Sequence, residues 1–188
     1  MTSAAVYGTG SWGTAFASVL ADAGTTVTMW GRRAEVVDQI NAGTNQDYLP
    51  ELRLPSTIRA TTDPAEAGHG ADIVVLAVPS QTLRANLAVW GSALPSSAAV
   101  VSLMKGVELG TTRRMSEVIT EAGGVEPERV VIVSGPNLAR EIAVKQPAAS
   151  VVASSSPAMA ELVAAACAAP YFRPYTGADV VGTETCGA

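Results

Sequence analysis

Gly8, Gly10 and Gly13 lie at the spacing Gly-x-Gly-x-x-Gly in the segment VYGTGSWGTA, residues 6–15. The segment follows a short apolar run and precedes a helix-forming stretch, which is the context that a dinucleotide-binding turn requires. In such a turn the first glycine permits a tight bend, the second leaves room for a pyrophosphate, and the third lets the helix pack closely on the strand. A purely structural strand-to-helix turn is the alternative, and the placement favours a dinucleotide.

The end of the next apolar run indicates which dinucleotide is bound. An NAD site usually has an Asp or Glu there, about 20 residues after the glycines, to bind the ribose 2′-hydroxyl. The run TMWGRR instead ends in Arg32 and Arg33. Because guanidinium groups bind a 2′-phosphate through paired hydrogen bonds, we expect the cofactor to be NADP or NAD, with NADP at least accepted. Two solvated arginines at a helix start are the alternative.

Two further segments place polar groups after strand-like runs. Lys105 follows AAVVSLM, and SGPN at residues 134–137 ends the run RVVIVSG. Ligands of open α/β sheets bind at the carboxyl ends of the strands. We therefore expect the Lys105 ammonium to hold a phosphorylated ketone and to stabilise charge that develops on its carbonyl oxygen. The N–H groups of SGPN are expected to face an anion. A solvated lysine, and helix capping by Ser134 or Asn137, are the alternatives.

The elements that must position these residues alternate between strand and helix. Strand-like runs lie at residues 4–8, 26–30, 57–61, 72–78, 98–104, 129–135 and 149–154. Helices are predicted at residues 12–23, 34–42, 81–94, 112–122, 138–144 and 158–168. Several runs are rich in valine and apolar on both faces, which is typical of covered parallel strands. The pattern predicts an α/β fold: a doubly wound, mostly parallel sheet with helices on both faces and no internal domain boundary.

Three other features are interpreted from their surroundings. Residues 43–56, GTNQDYLPELRLPS, form a connection longer than usual, called the long loop below, and long ordered loops are often functional. The pair Arg113–Arg114 is interpreted as a solvated helix start. Trp30 and Trp90 are interpreted as packing residues.

The composition excludes several classes of partner. Of 188 residues, 48% are hydrophobic, which predicts an ordered core. The 12 basic and 17 acidic side chains give a net charge of −5, which offers no basic field for nucleic acid. Without a signal-peptide pattern or an apolar run of about 18–20 residues, we expect a cytoplasmic protein with no membrane insertion. Cys167 and Cys186 lack metal-site spacing, so free thiols are expected rather than a disulfide or a metal site.

Five segments together resemble one family. GTGSWGTA, NQDYLPELRLP, VPSQTLR, SLMKGVE and SGPNLAREIA occur in the order, and near the spacing, seen in bacterial NAD(P)-dependent glycerol-3-phosphate dehydrogenases. The resemblance covers essentially the whole chain. It implies a Rossmann-like domain of an oxidoreductase that interconverts dihydroxyacetone phosphate and sn-glycerol 3-phosphate and feeds phospholipid biosynthesis.

The resemblance also implies roles for individual residues. Lys105 resembles the catalytic lysine that touches both cofactor and substrate, while Gly135 and Asn137 correspond to substrate contacts. Asn137 is Ser or Thr in many members of the family, which alters the detail of that contact. The implied cofactor contacts are Gly8, Gly10, Ser11, Trp12, Gly13, Arg32, Arg33, Tyr48, Lys105 and Ala139.

Finally, the resemblance implies that residues 1–188 are the N-terminal cofactor-binding domain. In the family, the final DVVGTETCGA leads into a Gly-Ala-x-Lys-Asn block, so the lysine that serves as general acid or base would fall just beyond Ala188. A helical domain with homodimer contacts would follow, and the chain alone is expected to be inactive. The alternatives are a related reductase of hydroxy acids or imines, and a nucleotide-sensing module without chemistry. Lys105 and SGPN favour the enzyme.

Overall fold

Buried runs of valine, isoleucine and alanine form the centre of one sheet in the computed structural model, which describes residues 1–187. The strands are β1 Ser3–Tyr7, β2 Thr26–Trp30, β3 Ile58–Thr61, β4 Ile73–Leu76, β5 Ala99–Ser102, β6 Val130–Ser134, β7 Ala148–Ala153 and β8 Phe172–Gly177. Their spatial order is β3-β2-β1-β4-β5-β6-β7-β8. Every neighbouring pair runs parallel except β6 and β7. The predicted fold class is confirmed.

The helices connect these strands. They are α1 Ser11–Asp22, α2 Ala34–Asn41, α3 Pro64–Gly68, α4 Leu83–Trp90, α5 Met115–Gly123, α6 Ala139–Ala143, α7 Pro157–Cys167 and α8 Val180–Cys186. Local capping defines several of their ends: the Asp63 side chain accepts from the Ala65 N–H at the start of α3, where Pro64 fixes the first helical φ angle. Strand order reverses at β1, because β2 and β3 lie on one side of it and β4 on the other. Ligands of doubly wound sheets bind at such a reversal.

Residues of β1 alternate between two hydrophobic cores on opposite faces of the sheet. Ala4 and Val6 belong to the core that packs against α1, whereas Ala5 and Tyr7 belong to the core under α4 and α5. This is the period of two that an extended strand imposes. Covering both faces explains why the central strands are apolar throughout.

An aromatic cluster fills the second core. The Tyr7 ring lies 4.6 Å from the Trp90 ring and 5.7 Å from the Trp30 ring, measured between centroids. Trp30 donates its indole N–H to the Thr62 carbonyl, and the Tyr7 hydroxyl donates to the Pro64 carbonyl. Both tryptophans are buried, as predicted for packing residues.

The sequence pattern did not predict three of the elements, and it predicted some helices to be longer than they are. The short helix α3, the edge strand β8 and the helix α8 were not predicted. β8 has the sequence FRPYTG and mixes buried with exposed positions, so it lacks the apolar run of a central strand. The helix predicted at residues 81–94 is shorter, because 3-10 turns at Ser80–Thr82 and Gly91–Ala93 flank α4. None of the helices within residues 1–187 is long and apolar enough to cross a membrane.

Candidate active site

The turn between β1 and α1 requires glycine at two of its three glycine positions. Gly8 has a φ of +125°, and a Cβ atom on it would lie 2.4 Å from the Ala77 carbonyl oxygen. A Cβ on Gly13 would lie 2.4 Å from the Gly8 carbonyl oxygen. A Cβ on Gly10, by contrast, would meet no atom within 4 Å. Packing therefore explains Gly8 and Gly13, while the open space at Gly10 is available to a ligand.

A cleft of about 390 Å³, called the glycine-turn cleft below, opens above this turn. Gly10 is the N-cap of α1 and offers no side-chain hydrogen bond, so the first N–H groups of the helix face the cleft without a capping acceptor. These donors and the positive end of the helix dipole suit a pyrophosphate. Of the predicted cofactor residues, the cleft brings together Gly8, Gly10, Ser11, Trp12, Gly13, Arg32, Arg33 and Tyr48.

The two arginines at the end of β2 differ in their surroundings. Arg32 is exposed and forms no ion pair within residues 1–187. Arg33 places Nη2 2.8 Å from Oδ2 of Asp47, in the long loop. The hydrogen bond to Asp47 raises the pKa of Arg33. Binding of a 2′-phosphate by either arginine stays a prediction, but the two side chains are not equally free to make that contact.

The long loop supports the glycine turn from behind. Asn45 is fully buried, and its Nδ2 donates to the Thr9 carbonyl at 2.9 Å and to the Thr14 hydroxyl at 2.8 Å. The Ser11 hydroxyl donates to the Tyr48 carbonyl at 3.1 Å. Sequence reasoning noted the length of the loop but missed Asn45 and Asp47. The polar triplet NQD at residues 45–47 was the available signal.

Lys105 lies in the loop after β5, and a side chain of the neighbouring connection holds that loop. Gln81 donates from Nε2 to the Val107 carbonyl at 2.8 Å, and its Oε1 accepts from the Leu109 N–H at 2.9 Å. The Lys105 ammonium donates to the Gly187 carbonyl, just past α8. The ammonium therefore lies where the carboxyl end of the sheet meets the end of α8.

A small cavity, called the Lys105 cavity below, adjoins the glycine-turn cleft. It is lined by Trp12, Leu103, Met104, Lys105, Val133, Ser134, Gly135 and Asn137. Trp12, Leu103 and Met104 line the glycine-turn cleft as well. The structure thus brings the three predicted substrate residues, Lys105, Gly135 and Asn137, to one cavity that shares a wall with the glycine-turn cleft. Ala139 lines neither space and packs against the core, so its cofactor contact stays a prediction.

The segment SGPN does not cap the following helix. The N-cap of α6 is Leu138, without a side-chain hydrogen bond, so the capping alternatives for Ser134 and Asn137 were wrong. Asn137 instead donates from Nδ2 to the Ser150 hydroxyl, and its Oδ1 is buried without a partner within residues 1–187. A Cβ on Gly135 would lie 2.9 Å from the Ala149 carbonyl oxygen, which restricts that position to glycine.

The interpretation of Arg113–Arg114 as a solvated pair was wrong for Arg114. Glu184 of α8, with 4% of its side chain exposed, accepts from the Ser116 N–H at 2.8 Å and from the Ser116 hydroxyl at 2.6 Å. Arg114 approaches the same carboxylate at 3.3 Å. Arg113 does lie at the surface, where it pairs with Glu121. The buried carboxylate fixes α8 against the start of α5.

No group of three or more His, Cys, Asp or Glu side chains within residues 1–187 is arranged to hold a metal ion. The candidate site consists of the glycine-turn cleft and the Lys105 cavity. Both are made from the carboxyl ends of strands, as the doubly wound topology predicts.

Residues 3–160 match the family described as NAD-dependent glycerol-3-phosphate dehydrogenase N-terminus. The chain belongs to this family. The membership that the five sequence segments predicted is confirmed, and the matched region is the N-terminal part of the family.

Curated and solved relatives agree with this membership. A glycerol-3-phosphate dehydrogenase [NAD(P)+] of Streptomyces avermitilis is 61% identical over 98% of this chain and 55% of its own length. The crystal structure of a glycerol-3-phosphate dehydrogenase from Coxiella burnetii superposes with a TM-score of 0.90, at 31% identity over 99% of this chain and 57% of that one. The enzyme from Saccharomyces cerevisiae gives a TM-score of 0.88 at 28% identity, over 100% of this chain and 59% of that one. The chain spans about half the length of the curated relatives it matches.

Proposed function

We propose that residues 1–188 form the cofactor-binding domain of an NAD(P)-dependent glycerol-3-phosphate dehydrogenase, which interconverts dihydroxyacetone phosphate and sn-glycerol 3-phosphate. The observation that carries the proposal is the wall of Trp12, Leu103 and Met104 that the glycine-turn cleft and the Lys105 cavity share. Hydride transfer requires the two reacting carbons to be in contact, and the Lys105 cavity, at about 10 Å³, brings Lys105, Gly135 and Asn137 beside the cleft rather than enclosing a whole substrate. A nucleotide sensor needs only the cleft.

The residues of the cleft fit a nicotinamide dinucleotide. The open space at Gly10 and the uncapped N–H groups of α1 suit the pyrophosphate, and the arginines after β2 suit the adenosine ribose or its 2′-phosphate. When bound, the reduced cofactor supplies the hydride that reduces the carbonyl carbon of the substrate. The family description as NAD-dependent supports this assignment of the cofactor as NADP or NAD.

Lys105 is proposed as the residue that acts on the substrate within this chain. Reduction of the ketone places negative charge on its oxygen, and an ammonium already held in position stabilises that charge without reorganisation. Its hydrogen bond to the Gly187 carbonyl shows one way in which the ammonium is held. Gly135 and Asn137, across the same cavity, are proposed to contact the glycerol phosphate.

The remaining functions are proposed from the family resemblance. The relatives are about twice as long as this chain, and we place the general acid, a substrate-binding arginine and homodimer contacts in their second half. We further propose a cytoplasmic enzyme that supplies sn-glycerol 3-phosphate to phospholipid biosynthesis. The phosphorylated substrate suits the Lys105 ammonium, which lines the same cavity as Gly135 and Asn137.

Replacement of Lys105 in the full-length protein tests the proposal. Lys105→Ala should lower the rate of dihydroxyacetone phosphate-dependent NADPH oxidation by about 10²- to 10³-fold, as expected when preorganised charge is lost, and should leave the fold intact. Lys145→Ala is the matched control, because Lys145 is exposed and pairs with Asp22 at the far end of α1. Unchanged kinetics of Lys105→Ala, or efficient turnover of a non-phosphorylated hydroxy acid by the wild type, would contradict the proposal.

A further inference from the structure

Asp47 brings a carboxylate to Arg33, which lines the glycine-turn cleft, from outside the strand that normally provides an acidic residue. Its Oδ2 accepts from Nη2 of Arg33 at 2.8 Å, and its Oδ1 accepts from Nε2 of Gln39 at 3.3 Å. Gln39 in turn accepts from the Gln46 N–H at 2.8 Å. The Asp47 carboxylate is therefore held by Gln39 of α2 and faces Arg33.

The geometry at Arg33 limits what else its guanidinium can bind. Nε lies 3.8 Å from the Glu35 carboxylate, and Nη2 is bonded to Asp47, so the edge formed by Nε and Nη2 faces two carboxylates. A phosphate binds a guanidinium best through two parallel N–H bonds along one edge. At Arg33 it can take that edge only by displacing Asp47, whereas Arg32 forms no ion pair within the described residues 1–187.

We propose that Asp47 sets the preference between NADP and NAD by competing with the 2′-phosphate for Arg33. The inference rests on the proposed function, since it takes the cleft to bind a nicotinamide dinucleotide. A 2′-phosphate brings about two negative charges close to Asp47, whereas the 2′-hydroxyl of NAD brings none. The pair thus disfavours NADP at Arg33, leaves NAD unaffected, and makes Arg32 the main phosphate contact.

The test is the substitution Asp47→Asn, which keeps the shape and removes the charge. Because Asp47 and Arg33 are both partly exposed, the effect is moderate: NADPH should bind about 3- to 10-fold more tightly, and NADH should change by less than about 2-fold. Adenosine 2′,5′-bisphosphate should follow NADPH, and adenosine 5′-monophosphate should follow NADH. Calorimetric titration measures all four, and the gain should shrink at high salt.

Two variants separate the ion pair from a general charge effect. Glu51→Gln removes one charge from an exposed residue of the same loop that forms no ion pair within residues 1–187, and it should change neither affinity. In an Arg33→Ala background, Asp47→Asn should no longer tighten NADPH binding, because the competing pair is already gone. Thermal unfolding of each variant verifies that it folds.

Each contrary outcome has a distinct meaning. Unchanged or weaker NADPH binding by Asp47→Asn would overturn the inference, since it would mean that Asp47 orients Arg33 toward the phosphate or does not affect it. An equal gain from Glu51→Gln, or a gain that persists without Arg33, would overturn it as well. A wild-type protein that binds neither dinucleotide would instead refute the proposed function.

Discussion

Glu184→Ala removes the buried acceptor that joins α8 to the start of α5. The Ser116 N–H and the Ser116 hydroxyl lose their partner, whereas the Arg114 guanidinium loses one acceptor and keeps its ion pair with Glu117. Hydrogen bonds to a charged group contribute about 1.5–3 kcal/mol each, but they are not additive. The two bonds from Ser116 together therefore contribute about 3–5 kcal/mol, which we take as the expected loss in free energy of unfolding.

This loss is large enough for thermal unfolding to measure. For a chain of 150–250 residues, 1 kcal/mol shifts the midpoint by about 2–4 °C, so Glu184→Ala should lower it by about 6–20 °C. Circular dichroism at a single wavelength follows the transition. Glu184→Gln should lose less, because an amide oxygen can still accept from the Ser116 N–H.

Glu161→Ala is the matched control. Glu161 is an exposed glutamate of α7 that forms no ion pair within residues 1–187, so its loss should shift the midpoint little. If Glu184→Ala shifted the midpoint no more than this control, the carboxylate would not fix α8, and the reasoning from its burial and three donors would be refuted.

Other perturbations test the glycine turn and one surface ion pair. Gly10→Ala should leave stability unchanged and abolish tight dinucleotide binding. Gly13→Ala should lower both the stability and the binding, because only the Cβ at position 13 would clash with the Gly8 carbonyl. Equal midpoints of the two variants in thermal unfolding would contradict this difference. The hydrogen bonds from Arg84 lower the pKa of Glu108 from 4.5 to about 2. The stabilisation by this ion pair is therefore complete above pH 4.5 and is lost as the pH falls toward 2. Chemical denaturation at several pH values should show that Glu108→Gln loses less free energy of unfolding over this interval than the wild type does.

The sequence was most informative where a structural requirement is local. The turn from β1 to α1 could be predicted because Gly8 adopts a φ of +125° and a Cβ on Gly13 would clash with the Gly8 carbonyl, so both requirements lie within the turn itself. The central strands could be predicted because burial on both faces selects apolar residues at every position. Both signals lie within a few consecutive residues.

Other features depend on partners that are distant in sequence. Glu184 bonds Ser116, 68 positions away, and nothing in VVGTETC indicates that its carboxylate is buried. Asp47 lies 14 positions from Arg33, and the two meet only because α2 turns the chain back. The length of the long loop predicted that it is functional. Its hydrogen bonds to the glycine turn and to Arg33 could be identified only from the folded structure.

The division of β1 between two cores has a consequence for how the molecule opens. β2 and β4 protect the amides and carbonyls of β1 from either side, and its side chains belong alternately to the two apolar layers. Neither layer can separate from the sheet without exposing residues of this strand, so hydrogen exchange at β1 requires global rather than local unfolding. Gly8 follows β1 directly and is bonded through its N–H to the Trp30 carbonyl. The floor of the glycine-turn cleft is therefore attached to the part of the molecule that unfolds last.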